Sequence, residues 1–240
     1  MNTLVKIIVS TILGLSLSSC QFSFGPGISG NGIIETQERT LDGDFNAIDV
    51  NRGLDVYITQ SDENSITIQA DENLHELITT EIKNGVLVIS TTENIKKASS
   101  KKVMVNFKNL STIMANSGSD LMSTHELSFQ DLTIESSSGA DVNLDLVADQ
   151  LTCNSSSGSD IKLRGESNSI KAISSSGSDI NAKGLKSKIA RANASSGSDI
   201  VVYATEKLNA DANSGADIIY YGNPEEVYKS DNASGSVVKR

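Results

Sequence analysis

The sequence predicts an all-β chain wound as a parallel β-helix, a solenoid of about 19–20 residues per coil. Three observations predict it: a short phrase repeated at near-constant spacing, period-two alternation within each repeat, and small residues where the chain must turn. The phrase is Ser-Gly-Ser/Ala-Asp followed by an aliphatic residue. Its glycines are Gly118, Gly139, Gly158, Gly177, Gly197 and Gly215, and its acids are Asp120, Asp141, Asp160, Asp179, Asp199 and Asp217. A worn seventh copy reads Ser234-Gly235-Ser236-Val237. Successive glycines are 21, 19, 19, 20, 18 and 20 residues apart, a mean of 19.5.

Alternation makes the repeats extended rather than helical. Five residues before the glycines lie Ile113, Ile134, Cys153, Ala172, Ala192, Ala210 and Ser230; three after them lie Leu121, Val142, Ile161, Ile180, Ile200, Ile218 and Val238. Stretches such as Ile161-Lys162-Leu163 continue the period of two. Leucine-rich repeats share the length but require a Leu-x-x-Leu-x-Leu phrase and a helical stretch, both missing. Three short strands per coil, stacked about 4.8 Å apart, predict a rod of roughly 29 Å over six advances. Cys153 takes an inward position also held by Ile and Ala, so it reads as a small core residue.

Smallness and a hydroxyl suit a corner whose copies stack directly, and glycine supplies the backbone freedom. The chain holds 37 serines and 18 glycines among 240 residues, a composition that on its own would also fit disorder. Their spacing turns it into evidence of order. The acids are harder to accommodate, because carboxylates stacked at this distance repel by roughly 0.9 kcal/mol per neighbouring pair even in water. The expected offset is hydrogen bonding from corner N–H groups or serine hydroxyls. A row of divalent-cation sites is the sharper alternative, although calcium-binding β-rolls differ in period and in glycine content.

The first half is less regular. Ile48, Gly53 and Asp55 already fit the template, and strand-like runs follow at 56–60, 66–70, 86–90 and 103–107. Asn84-Gly85 signals a hairpin, and 71–77 allows one helical turn. The 65 residues between Gly53 and Gly118 would fill about three wider coils, with a separate N-terminal β-domain as the alternative.

Residues 1–19 read as a lipoprotein signal peptide. Lys6 precedes an apolar run of about eleven residues, too short to span a bilayer, and Leu17-Ser18-Ser19-Cys20 resembles a lipobox. Cys20 is the expected lipid-attachment residue and the contact with the membrane. Residues 20–36 are expected to form a Gly-containing tether, and 37–240 the β-helix. Gln21 after the cysteine favours the outer membrane. Without its leader the chain carries nineteen bases against thirty acids. An acidic body of this kind excludes a nucleic-acid partner and should be held off anionic lipid, leaving attachment to the acyl chains.

Catalytic signatures are lacking. The two histidines, His75 and His125, sit in expected surface turns or loops. No nucleophile elbow, His-Glu-x-x-His, phosphate loop or Cys-x-x-Cys is present. No cofactor, metal or catalytic residue is therefore assigned. Tyr220 is expected inward and Tyr221 outward, near a solenoid end that needs covering or offers a homo-oligomer contact.

The lipoprotein signal, the opening Phe45-x-x-Ile48-x-Val50 with Gly53-x-Asp55-Val56, and the tandem Ser-Ser-Gly-Ser-Asp-Ile corners together resemble the head GIN-domain family of auto-transporter adhesins, common among Bacteroidetes lipoproteins. The resemblance covers roughly residues 40–235. It implies a right-handed parallel β-helix, in line with the general rule for parallel crossovers, and an adhesin-like role. The expected function is non-catalytic binding or scaffolding at the cell envelope, toward a surface glycan or an envelope protein. The alternatives are a carbohydrate-active enzyme on the same fold and an envelope sensor or assembly accessory.

Overall fold

A computed structural model describes residues 27–231 and 234–240. Chain order begins with β1 (Ile28–Ser29), β2 (Ile34–Arg39), β3 (Ala47–Val50) and β4 (Asp55–Gln60). Next come β5 (Ser65–Asp71), a 3-10 turn at Glu72–Leu74, β6 (Ile78–Lys83), β7 (Val86–Thr91), β8 (Ile95–Lys97) and β9 (Lys101–Phe107). The repeats supply β10 (Thr112–Ala115), β11 (Asp120–Ser123), β12 (Leu127–Ser137), β13 (Asp141–Ser156), β14 (Asp160–Ser175), β15 (Asp179–Ser195) and β16 (Asp199–Ala212). The chain closes with β17 (Asp217–Tyr221), β18 (Glu226–Asp231) and β19 (Ser236–Lys239). Seventeen of these described strands share one sheet, and β1 pairs with β8 alone.

The repeat region is the expected parallel β-solenoid. Each coil, however, is one unbroken strand of 14–17 residues from β13 to β16 rather than three short ones. The bends are gentle because the alternation changes phase within the strand. In β14, Leu163 and Ser167 face inward, then Ile170, Ala172 and Ser174 do. The Ser-Gly corner interrupts the ladder in every coil, and register shifts within β14–β15 at Lys162/Arg164 and within β15–β16 at Ala182/Lys186 and Ser187/Ile189 absorb the unequal coil lengths. Ser176 and Gly177 both take positive φ, 59° and 67°, and the other five corners match them. Two successive left-handed residues make the tight turn found in two-residue hairpins.

Register is kept coil to coil. Val103, Val56, Leu121, Val142, Ile161, Ile180, Ile200, Ile218 and Val237 form one inner column. Facing it, Leu87, Ile48, Ile113, Ile134, Cys153, Ala172, Ala192 and Ala210 taper from large to small. One continuous hydrophobic core runs from Phe45 to Val237. The wide N-terminal end, filled by Phe107, Leu54 and Ile58, follows from this taper.

Four further expectations need correction. The stretch from Gly53 to Gly118 does not hold three successive coils. Strand β4 pairs directly with β11 on one side and β9 on the other, while β3 lies between β10 and β7. The chain therefore leaves β4, forms one rung beyond it through β7 and β9, and steps back over β3–β4 to start β10. Antiparallel strands complete that end: β5 joins β9 to β2, and β6 joins β7 through the Asn84-Gly85 hairpin. Second, residues 27–36 are not all tether, since β1 and β2 find backbone partners on β8 and β5. Third, the last coil slips by one residue. Lys229 rather than Ser230 pairs with Ala210, and Val237 rather than Val238 enters the core, because the pairing keeps an offset of 19 residues on both sides of the corner while Gly235 follows Gly215 by 20. Fourth, His75 is not on the surface. It is buried after the 3-10 turn, its Nε2 3.2 Å from the Glu35 carbonyl.

Candidate functional site

The corner phrase splits its two side-chain chemistries between the faces of the sheet. The residue after each glycine points inward, so Ser119, Ser159, Ser178 and Ser198 are fully buried. Their hydroxyls satisfy backbone that the tight turn leaves without ladder partners. Ser178 Oγ accepts from the Ser175 N–H at 3.2 Å and lies 2.8 Å from Ser174 Oγ. Ser159 Oγ reaches the Ser136 carbonyl of the preceding coil at 2.8 Å. The serines therefore work inside the rod as well as giving clearance at its corners.

The aspartates point out and stack. Asp55 joins the six expected acids, giving the column Asp55, Asp120, Asp141, Asp160, Asp179, Asp199 and Asp217. Local sequence marked Asp55, but the 65-residue gap hid its place beside Asp120. Both ends of the column are closed. Lys102 takes the next rung beyond Asp55, and Lys101 Nζ stands 3.4 Å from Asp55 Oδ1. Ser236 takes the rung after Asp217 and donates to its carboxylate at 2.6 Å. Between the ends, the Asp199 N–H reaches Asp179 Oδ1 at 3.2 Å, the kind of offset the corner chemistry predicted. Partial burial, reinforced by the charges of Asp141 and Asp179, raises the Asp160 carboxyl above its usual range. Asp120 and Asp199 are raised in the same way, by burial first and then by their acidic neighbours. Among the described residues, no group of three His, Cys, Asp or Glu side chains assembles as a metal-binding set.

Beside the acids runs a second outward column, Met122, Asn143, Lys162 and Asn181, in the same register. The two columns flank a groove of about 480 Å³ along the rod. Carboxylate acceptors on one side and amide and ammonium donors on the other suit a hydroxyl-bearing ligand, and Asn143 Oδ1 is buried without a partner. Further round, Arg164 clamps Asp145 at 2.6 Å, and Lys183 lies 4.4 Å above the Tyr221 ring, which faces outward while Tyr220 is buried. His125 is exposed beside Thr124, as expected of a loop residue. Cys153 is buried, and burial pushes its thiol up, away from reactivity. Cys20 lies outside the described residues.

The molecule is thus a β-solenoid with a polar axial groove. The family model described as "Putative auto-transporter adhesin, head GIN domain" matches residues 44–224, and the chain belongs to that family. No curated protein matches it. A solved "putative adhesin" of Bacteroides fragilis superimposes with a TM-score of 0.83 at 24% identity, covering 89% of this chain and 100% of that one. A "putative lipid binding protein" of Parabacteroides distasonis gives 0.69 at 22% identity, with 89% and 99% covered. A "putative adhesin" of Parabacteroides merdae gives 0.70 at 22%, with 89% and 98% covered. At these identities the likeness is one of fold.

Proposed function

We propose that the chain is a non-catalytic, adhesin-like binding protein of the cell envelope, held in the outer membrane by lipid on Cys20, whose axial groove takes a polyhydroxylated surface ligand. One observation carries this reading: two chemically distinct columns run side by side in register over four coils. A ligand with its own linear repeat meets a carboxylate at every step and an amide or ammonium donor at three of the four, from Asn143 to Asn181, and modest contacts add up along it. Family membership supports the adhesin-like role.

A glycan array on purified protein, run beside a pull-down from envelope extract, tests the proposal. Glycan retained at unchanged length is the expected result. Shortened product would instead establish a carbohydrate-active enzyme, and capture of one defined protein an envelope sensor or assembly accessory. Asp160→Ala together with Asn143→Ala should abolish retention while leaving the melting temperature near that of the parent.

A further inference from the structure

The geometry points to the N-terminal cap as a membrane-contact surface: Ile28, Ile33 and Ile34 rest in the lipid interface and stand the rod on its end. The inference rests on the lipid-anchor reading of Cys20. The run β4–β9–β5–β2 makes β2 the outermost strand at this end of the solenoid. There the chain exposes Ile33 and Ile34 at 57% and 51%, with Ile28 at 38% close by on β1. Gly30 and Gly32 join these residues in one short stretch tied down by the Lys97 carbonyl and the Asp71 carboxylate, so the three side chains sit on a fixed platform.

The occupant follows from where the chain leaves the body. Ile28 donates to the Asn94 carbonyl at 2.8 Å, so the described chain begins at this same end. Cys20 is seven residues ahead of Gly27, a reach of at most about 25 Å when fully extended. A lipid on Cys20 holds this cap near the bilayer, whereas the last coil lies about eight strand spacings away, roughly 38 Å along the axis. Lys96 and Lys97 are exposed on β8 beside Ile28, on the side that would face lipid headgroups. Glu35 and Glu93 share this end, and Glu72 is engaged by Asn31 at 3.1 Å. Attraction between charges is therefore weak, and the isoleucines make the contact. The acidic column starts beyond the cap and is carried away from the bilayer.

The chain has no tryptophan, so an introduced one reports alone. Full-length lipidated Ile33→Trp and Tyr228→Trp proteins, reconstituted on phosphatidylethanolamine/phosphatidylglycerol vesicles with brominated acyl chains, provide the test. Flotation with the vesicles reports the anchor, and indole emission reports the surroundings of the substituted position. The expected result is flotation of both proteins. Emission from Ile33→Trp should be blue-shifted and reduced at least twofold by the bromolipid, while emission from Tyr228→Trp stays unchanged. Flotation of Ile33→Trp with unquenched emission overturns the inference and leaves the anchor standing. Failure to float overturns the anchor reading and the inference with it. A blue shift that needs protein concentration but no vesicles identifies a second copy on the patch, and likewise overturns it.

Discussion

Each corner of the rod holds a serine in a backbone conformation that its side chain disfavours, followed by a glycine that accepts it freely. An added Cβ at Gly177 would meet nothing within 4 Å, so Gly177→Ala isolates the backbone penalty. We expect a loss of about 1–2 kcal/mol in urea unfolding. At Gly165 an added Cβ would fall 2.0 Å from the Leu146 carbonyl oxygen of the neighbouring coil. Gly165→Ala should therefore lower stability by clearly more than Gly177→Ala, and equal losses would disprove the distinction. The acids give a second prediction. The folded pKa of Asp160 is raised, so this group adds stability below its ordinary value of 3.8 and loses that contribution as pH rises through the folded value. Asp160→Asn should raise stability near neutral pH by about 1 kcal/mol at most, since salt and exposure screen the neighbours. The gain should vanish below about pH 4. Asp71 works in the opposite sense. Burial opposes its ionisation, yet N–H groups of Ser100, Gly32 and Ser99 outweigh it and lower the pKa, so its contribution fades as pH falls. The corner glycines and aspartates were legible because each recurs. Asp71 was not, because its partners arrive from residues 28 to 39 positions away and no local pattern links them.

At the level of the strand, the tapering column from Leu87 to Ala210 shows how one register position sets the width of each coil. Cys153 stands where the column passes from Ile134 to Ala172. Cys153→Ala should cost only about 1 kcal/mol, because the next three coils already close around alanine. Ala172→Leu should cost about 1–3 kcal/mol by overpacking the narrow section. Thermal melts of the two variants check the order, and a smaller loss for Ala172→Leu would argue against the taper. Period-two alternation made strands β4 to β7 and β9 readable, and Asn84-Gly85 with φ of 53° and 79° is the expected hairpin turn. Strand β2 was not readable in the same way, because Ile34-Glu35-Thr36-Gln37-Glu38-Arg39 is largely exposed and carries no apolar residue after Ile34 to alternate with the polar ones. It is a strand because β5 offers it an edge, a fact of pairing rather than of composition.

In the whole molecule, the order of rungs differs from the order of sequence. Strands β3 and β4 cannot complete their pairing until β7, β9, β10 and β11 have all formed, whereas every coil from β13 onward lays down on a finished neighbour. Long-range closure is the slow part of folding a chain of this kind. Val105→Ala should therefore slow refolding, while Val202→Ala, in the later stack, should chiefly speed unfolding. Denaturant-jump kinetics distinguish these outcomes, and a reversal would place the nucleus among the repeats. Sequence showed the period, the inward columns and the outward acids, because each is a local pattern copied many times. It did not show the step back over β3–β4, which depends on which strand reaches which edge. The ends of the acid column lead further. Lys102 closes one end from outside the repeated phrase, and Ser236 closes the other from its worn last copy, which lacks the aspartate. Gain or loss of a block of about twenty residues between Gly139 and Gly197 would lengthen or shorten the groove by one strand spacing and one aspartate. Both ends would keep their neighbours, so duplication could tune the span of the binding surface without a new fold having to evolve.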